Sequence, residues 1–136
     1  MTCKLVADVA LVAGDEVLLV RYRDTSDYDR QAGWFLPDGF LEQLEHPEDA
    51  ARRIARDQAA IDSVEDLRLG EIESFGNGAW HLVFHYVGTL DAPVPVQPLG
   101  NVAAAEWFAL ADLPERSEMA HHGWGLDVLE RLLAEA

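Results

Sequence analysis

Lysine is nearly missing from this chain. Lys4 is the single one, beside nine arginines, while aspartate and glutamate together number 25. The formal charge of -15 at pH 7 repels polyanions, so binding to a nucleic acid polymer is disfavoured. A phosphate-bearing ligand would need a local basic group or a metal ion beside it. Otherwise the charge reads as a solvated surface, one compatible with high salt. Cysteine is equally scarce. Cys3 stands alone, so no internal disulfide can form, which agrees with a reducing compartment. It reads as a small strand residue. Long apolar runs are absent too. No stretch approaches bilayer length, and the opening MTCKLVADVA lacks a signal-peptide layout. A cytoplasmic protein without membrane contact is the expectation. No repeat, Gly-rich phosphate loop, zinc spacing or serine nucleophile motif occurs.

What is present fits one domain over residues 1–136. Hydrophobic residues make up 49% and charged residues 26%, near globular averages and enough for a core. Lys4 to Ala13 and Glu16 to Arg23 flank Gly14-Asp15 and read as two strands joined by a tight turn. Asp24 to Gly33 reads as a loop. Trp34 to Pro37 reads as a short strand closed by the proline, after which Asp38-Gly39 turns the chain. A helix begins near Pro47, with His46 at the cap and Glu48 and Asp49 at the positive dipole end. Ala50, Ala51, Ile54, Ala55, Ala59 and Ile61 supply its apolar and small positions.

Three further strands are expected over Leu67 to Phe75, Ala79 to Leu90 and Ala104 to Leu110. Gly76-Asn77-Gly78 makes the hairpin between the first two. Asp91 to Gly100 is an ordered loop, and Asp127 to Ala136 is a closing helix. The order of elements indicates an α+β fold, a mixed sheet between helices.

Residues 33–61, GWFLPDGFLEQLEHPEDAARRIARDQAAI, carry the chemical signal. Gly39, Glu45 and Arg53 stand at the offsets G-x5-E-x7-R, preceded by Trp34-Phe35-Leu36-Pro37 and followed by Ile61 in an apolar place. Glu106-Trp107-Phe108, Leu110 and Asp112-Leu113-Pro114 form a strand-to-helix segment further on. With these residues the chain resembles the Nudix hydrolase family, whose box reads G-x5-E-x7-R-E-U-x-E-E-x-G-U with U a bulky apolar residue. The resemblance implies a Nudix-type α/β/α sandwich. It also implies hydrolysis of a nucleoside diphosphate linked to another group, aided by Mg2+ or Mn2+. Divalent cations neutralise the pyrophosphate, and hard cations prefer carboxylate oxygens.

The box glutamates that would hold those ions fall here on Ile54, Asp57 and Gln58. Ile54 has no ligand atom, Asp57 is a methylene shorter, and Gln58 is neutral and cannot act as a base. Ala60 replaces the box glycine, and Asp38 replaces a glycine frequent just before the box. The loop Gln97 to Ala103, where a further glutamate often stands, has no acid. Glu45 and Arg53 remain, and the resemblance implies that they pair to brace the loop against the helix. The box is therefore degenerate.

The candidate catalytic residues are Glu45, Arg53 and Asp57, with Asp57 and Glu45 as candidate metal ligands. Arg21, Arg23 and Arg30 are candidate phosphate grips, although ordinary surface arginine explains them as well. Asp57 has a second possible use, pairing with Arg53. Glu42, Glu48 and Asp49 could extend a displaced metal site, but they read more simply as surface and helix-end acids. His81 and His85, about 13 Å apart along one strand face, cannot share a metal and read as lining a sheet surface. His121-His122 read as a turn entering the last helix.

Three functional readings follow. The preferred one is a degenerate Nudix domain that binds a nucleoside diphosphate derivative or related phosphate compound and hydrolyses it weakly or not at all, with no cofactor of its own. The second is an active Mg2+- or Mn2+-dependent hydrolase with a rearranged site. The third is a protein-interaction module, such as a homodimer.

Overall fold

The computed structural model describes residues 3–76 and 80–134. The N-terminal hairpin forms as its pattern requires: β1, Cys3–Ala13, turns through Gly14-Asp15 into β2, Glu16–Tyr22. The two strands pair only near the turn, at Val12 with Val17 and Ala13 with Glu16. Beyond it they part, and residues 35–40 fill the gap. Phe35 exchanges both backbone hydrogen bonds with Val20, at 2.8 and 2.9 Å, and the Pro37 carbonyl accepts from the Val9 amide at 3.0 Å. Asp38–Phe40 then forms β3, antiparallel to β1. The expected Asp38-Gly39 turn is thus a strand instead. Pro37 lacks an amide donor but keeps its carbonyl, so it sits in the ladder as an acceptor without ending it.

The remaining strands are β4, Asp66–Phe75; β5, Trp80–Leu90; and β6, Val102–Ala109. The sheet order is β4-β5-β1-β2-β6, with β3 beside β1. The β1–β5 pair is parallel and the other pairs are antiparallel, so the sheet is mixed. Antiparallel pairing of β4 with β5 agrees with a hairpin, although Asn77 and Gly78 of the expected turn lie outside the described residues.

The first helix, α1, covers Pro47–Ala59, with His46 extended at the N-cap. His46 Nδ1 accepts from the Glu48 amide at 3.0 Å, satisfying one of the orphan donors of the first turn. The helix stops at Ala60, which adopts φ 60°, ψ 32°. This left-handed stop is where glycine is favoured, and an alanine there costs roughly 1 kcal/mol. The loop after β5 is ordered because it docks on the end of α1, where the Ala59 and Gln58 carbonyls accept from the Gln97 and Leu99 amides at 3.1 Å each. The closing helix, α2, spans Trp124–Ala134. It starts three residues earlier than its apolar spacing indicates, after short 3₁₀ turns at Arg116–Glu118 and Ala120–Gly123.

Alternation along β1 divides the core. Ala7, Val9 and Leu11 pack with Ala50, Ile54 and Ala55 of α1. Ala10, on the opposite face, packs with Val128, Leu129 and Leu132 of α2. Full burial of each large aliphatic contributes about 1.5–3 kcal/mol. The result is the expected sandwich, with one helix on each face. No helix among the described residues is long and apolar enough to cross a membrane.

Gly33 controls how the edge of the α2 layer meets β2. Its φ is +110° and a Cβ there would stand 2.7 Å from the Glu118 carbonyl oxygen. The next residue, Trp34, donates to that carbonyl at 3.0 Å, and its own carbonyl accepts from the Ala120 amide at 3.0 Å. Gly33→Ala is therefore expected to destabilise the protein by about 2 kcal/mol or more. Urea unfolding checks this, and a loss below experimental error would show that the two segments can separate without cost.

Candidate functional site

The retained half of the box is a clamp. Arg53 holds Glu45 with two bonds, Nε to Oε2 at 2.9 Å and Nη2 to Oε1 at 3.0 Å, and donates to the Phe40 carbonyl at 3.0 Å. Glu45 also accepts from the Glu42 amide at 3.0 Å. Three points of the 40–45 loop are thereby fixed to α1. The Arg53 guanidinium holds the Glu45 carboxyl below its usual range, as expected for a bidentate, charge-assisted pair. Both oxygens are engaged, so Glu45 serves the loop and is a poor metal ligand as placed.

The other box positions point away from metal chemistry. Ile54 is 1% exposed and belongs to the α1 core. Its Cγ1 lies 3.5 Å from where a Cβ on Gly39 would be, so a small side chain at position 39 would just fill the space between β3 and the helix. Asp57 is half exposed and pairs with Arg56 at 3.1 Å, not with Arg53 as its spacing allows. Gln58 closes a ring of hydrogen bonds. The Asp38 amide donates to the Tyr22 hydroxyl at 3.0 Å, and that hydroxyl donates to Gln58 Oε1 at 2.8 Å. Gln58 Nε2 then donates back to the Asp38 carbonyl at 2.7 Å. Tyr28, stacked on Tyr22 with centroids 3.8 Å apart, donates to the same carbonyl at 3.2 Å. A carboxylate at position 58 could accept from Tyr22 but could not donate to Asp38. The amide is the group this ring requires.

A divalent metal does not fit these residues. One position has no donor, one amide is used at both ends, and one carboxylate is paired with arginine. Among the described residues, no group of three or more His, Cys, Asp or Glu could hold a metal ion.

A cavity of about 420 Å³ opens on the other side of β3. Its lining includes Tyr28, Phe35, Phe75 and Trp124 as aromatic walls, and Asp27, Asp29, Asp38 and Glu73 as acids. Gly39, His81 and His121 also border it. Asp8, next along the sheet, lies on the same face as Ala10, hence on the α2 side. It is opposed by Asp38 on β3 and by His85 on β5. Asp8 Oδ1 meets His85 Nδ1 at 2.7 Å, and His85 Nε2 meets Glu73 Oε1 at 2.8 Å. A buried carboxylate is thus linked through a buried imidazole to a carboxylate on the cavity wall. The second Asp8 oxygen, Oδ2, is buried without a protein partner.

Burial raises the Asp38 pKa well above the usual carboxylate range, and the nearby Asp8 and Asp29 charges add to it. Burial also raises Asp8, partly offset by its bond to His85. For His85, burial lowers the pKa, but hydrogen bonds and charges from Asp8 and Glu73 outweigh it and the net direction is up. Burial pushes Tyr28 up to about 12, so its hydroxyl keeps its proton and stays a donor. His121 is lowered by burial despite Asp29, whose Oδ2 is 3.5 Å from His121 Nε2.

The three candidate arginines lie elsewhere. Arg21 stacks over the Trp34 ring at 4.5 Å, and Arg23 donates to the Val102 carbonyl at 3.4 Å. Arg30 is exposed in a tight turn with φ 57°. None lines the cavity, and neither do Glu45, Arg53 or Asp57. Sequence reasoning missed Asp8 and Glu73, which look like ordinary strand acids, and assigned His85 to a sheet surface when it is fully buried. The available signal was Asp8 itself: an acid in the apolar run LVADVALVA needs a buried partner.

A model of the NUDIX domain matches residues 4–129. The chain belongs to the Nudix family. Solved structures agree on the fold. A MutT NUDIX hydrolase from Burkholderia pseudomallei has a TM-score of 0.79 at 21% identity, over 97% of this chain and 99% of that one. The NUDIX domain of Shewanella oneidensis NrtR, complexed with ADP ribose, gives 0.80 at 19% identity over 99% and 89%. A bifunctional NMN adenylyltransferase/ADP ribose pyrophosphatase from Francisella tularensis, complexed with AMP and a manganese ion, gives 0.75 at 15% identity. It is covered over 97% of this chain and 41% of that one. Identities this low carry the fold alone. No curated protein matches the sequence.

The pKa directions fix a pH dependence. Asp38, Asp8 and His85 each hold a proton more tightly folded than unfolded, so each stabilises most on its acid side. The two aspartates lose that contribution as pH rises from about 4 through their raised folded values. His85 loses its contribution as pH rises from about 6.5 through its own raised value. The melting temperature is expected to fall as pH rises above about 4, and Asp38→Asn, with no carboxyl to ionise, should flatten the fall. An identical slope in the variant would show that the Asp38 carboxyl titrates no higher folded than unfolded.

Proposed function

We propose that this Nudix-family chain binds a nucleoside diphosphate derivative or related phosphate compound, and that hydrolysis is weak or absent. The observation that carries the second half is the hydrogen-bond ring through Gln58. Where the family's box has a glutamate, this chain uses an amide whose both ends hold the fold together. Ile54, packed in the core, supports the same reading. Binding is supported by the cavity, whose volume and aromatic walls suit a ring system, and by relatives of the same fold that hold ADP ribose or AMP.

The family's usual activity would draw on Mg2+ or Mn2+ to neutralise pyrophosphate charge. The α1 residues present do not supply that site, so no step is assigned to a metal there. What remains for this chain's own residues is recognition. The aromatic walls take a flat group, the ring around Asp38 holds the wall rigid, and the phosphates lie outside the acidic cavity.

The test combines turnover with binding. Purified protein is mixed with ADP ribose, AMP and a panel of nucleoside diphosphate derivatives, with Mg2+ or Mn2+, and both product release and thermal shift are scored. A thermal shift without product is expected. Turnover that Asp57→Ala abolishes would sink the binding-only reading and favour an active, rearranged site. No shift with any compound would leave an interaction role. Separately, Gln58→Glu should cost about 1–3 kcal/mol through the lost bond to Asp38 without increasing magnesium binding. A rise in magnesium affinity measured by calorimetry would show that the helix face is still aimed at a metal.

A further inference from the structure

Asp38 brings a side chain to the cavity wall at a place, just before the box, where glycine is frequent in the family. It pairs with Asp8 across the β3–β1 ladder. Directly paired residues share a face of the sheet, so the Asp38 side chain lies on the cavity side. Its main chain is fixed. The Tyr22 hydroxyl accepts from its amide, and Tyr28 and Gln58 donate to its carbonyl. None of these bonds uses the carboxyl, and among the described residues no other hydrogen bond or ion pair engages it.

The surroundings decide what that carboxyl presents. Asp8 of β1 and Asp29 of the loop face it with like charge, and His85 of β5 is bonded to Asp8 and Glu73 instead. The group therefore keeps its proton. A protonated carboxyl differs from a carboxylate in kind, because it sets an O–H donor beside a carbonyl acceptor. The ligand edge that answers it has an acceptor beside a donor. A phosphate group offers acceptors alone, and a guanidinium donors alone, so neither is a full partner. The neighbouring walls are aromatic: Tyr28, Phe35 with its centroid 5.4 Å from that of Tyr28, and Trp124. A flat heterocycle among them buries its faces and turns its polar rim to the wall groups.

We infer that the Asp38 side chain reads the rim of a nucleobase, taking a donor and an adjacent acceptor together, as the amino group and ring nitrogen of adenine provide. The inference rests on the nucleotide-binding reading above and adds the head group and the residue that selects it. The Asp38 O–H donates to the ring nitrogen, and its carbonyl oxygen accepts from the amino group. Both bonds are between neutral groups, so no charge on the ligand is required. A purine without the amino group makes one bond and leaves the Asp38 acceptor without a partner, which weakens binding.

ADP and purine riboside diphosphate form a suitable pair of probes, because they differ only in the exocyclic amino group. Calorimetric titration of wild-type protein should show ADP binding about tenfold more tightly, the discrimination of one good bidentate pair. Asp38→Asn, whose amide also sets a donor beside an acceptor, should keep that preference, and Asp38→Leu should abolish it. Equal affinities of the two probes for wild-type protein would overturn the inference and leave nucleotide binding intact. A preference that survives in Asp38→Leu, or that disappears in Asp38→Asn, would equally overturn the role of Asp38. Binding of neither probe would overturn it too, and a thermal shift from a derivative with another head group would then spare the broader reading. If Asp38→Leu fails to fold, wild-type protein and Asp38→Asn decide.

Discussion

The main-chain amide and carbonyl of Asp38 are held from three directions, by Tyr22 of β2, by Tyr28 of the following loop and by Gln58 of α1. β1 and β2 part after two paired positions, so the segment between them has to be secured by side chains. Three residues of β3 alone could not do this, since so short a strand forms few ladder bonds. The tyrosines supply rigid, buried donors, and burial raises both of their pKa values, so they remain protonated. Gln58 supplies an amide that accepts from Tyr22 and donates to the Asp38 carbonyl, closing the ring. Remove that ring and the side-chain bonds between β3 and α1 are reduced to the Arg53 clamp further along.

Because β3 is fixed, it can act as a thin partition. On one side Gly39 faces Ile54 and Gln58 of α1; on the other, Asp38, Gly39 and Phe40 line the cavity. The two sides have opposite chemistry. The helix side is closed by aliphatic packing and a neutral amide, with its charges spent on Arg53–Glu45 and Arg56–Asp57 pairs. The cavity side gathers acids, of which Glu73 is held by His85 and Arg131 and Asp29 faces His121. An apolar residue at position 54 and an acid at position 38 thus stand on opposite faces of β3, Ile54 in the α1 core and Asp38 on the cavity wall.

The sequence made the scaffold legible and the site largely illegible. Strand alternation, the Gly14-Asp15 turn and the Pro47 start of α1 all have local causes, so they appear in the pattern. Gly39, Glu45 and Arg53 were readable because one clamp fixes their spacing. Asp8, His85 and Glu73 come from three strands and meet only through the parallel β1–β5 register and the β4–β5 hairpin. No local spacing encodes such a meeting. The Asp38-Gly39 turn misled for the opposite reason. Those residues favour turns when isolated, but the gap between β1 and β2 offered ladder partners, and tertiary pairing outweighed local preference.

The surviving half of the box can be understood on the same terms. Glu45 and Arg53 stabilise the 40–45 loop, and that loop continues directly from β3. Leu44 in this loop is fully exposed at φ 66°, a strained and solvated position that needs neighbouring bonds to persist. Losing the clamp would loosen the partition and with it the cavity wall, whatever the helix face does chemically. Losing a carboxylate from positions 54 or 58 carries no such structural penalty, and at position 58 the amide improves the fit. The clamp therefore has a structural reason to be present, independent of what the helix face does chemically.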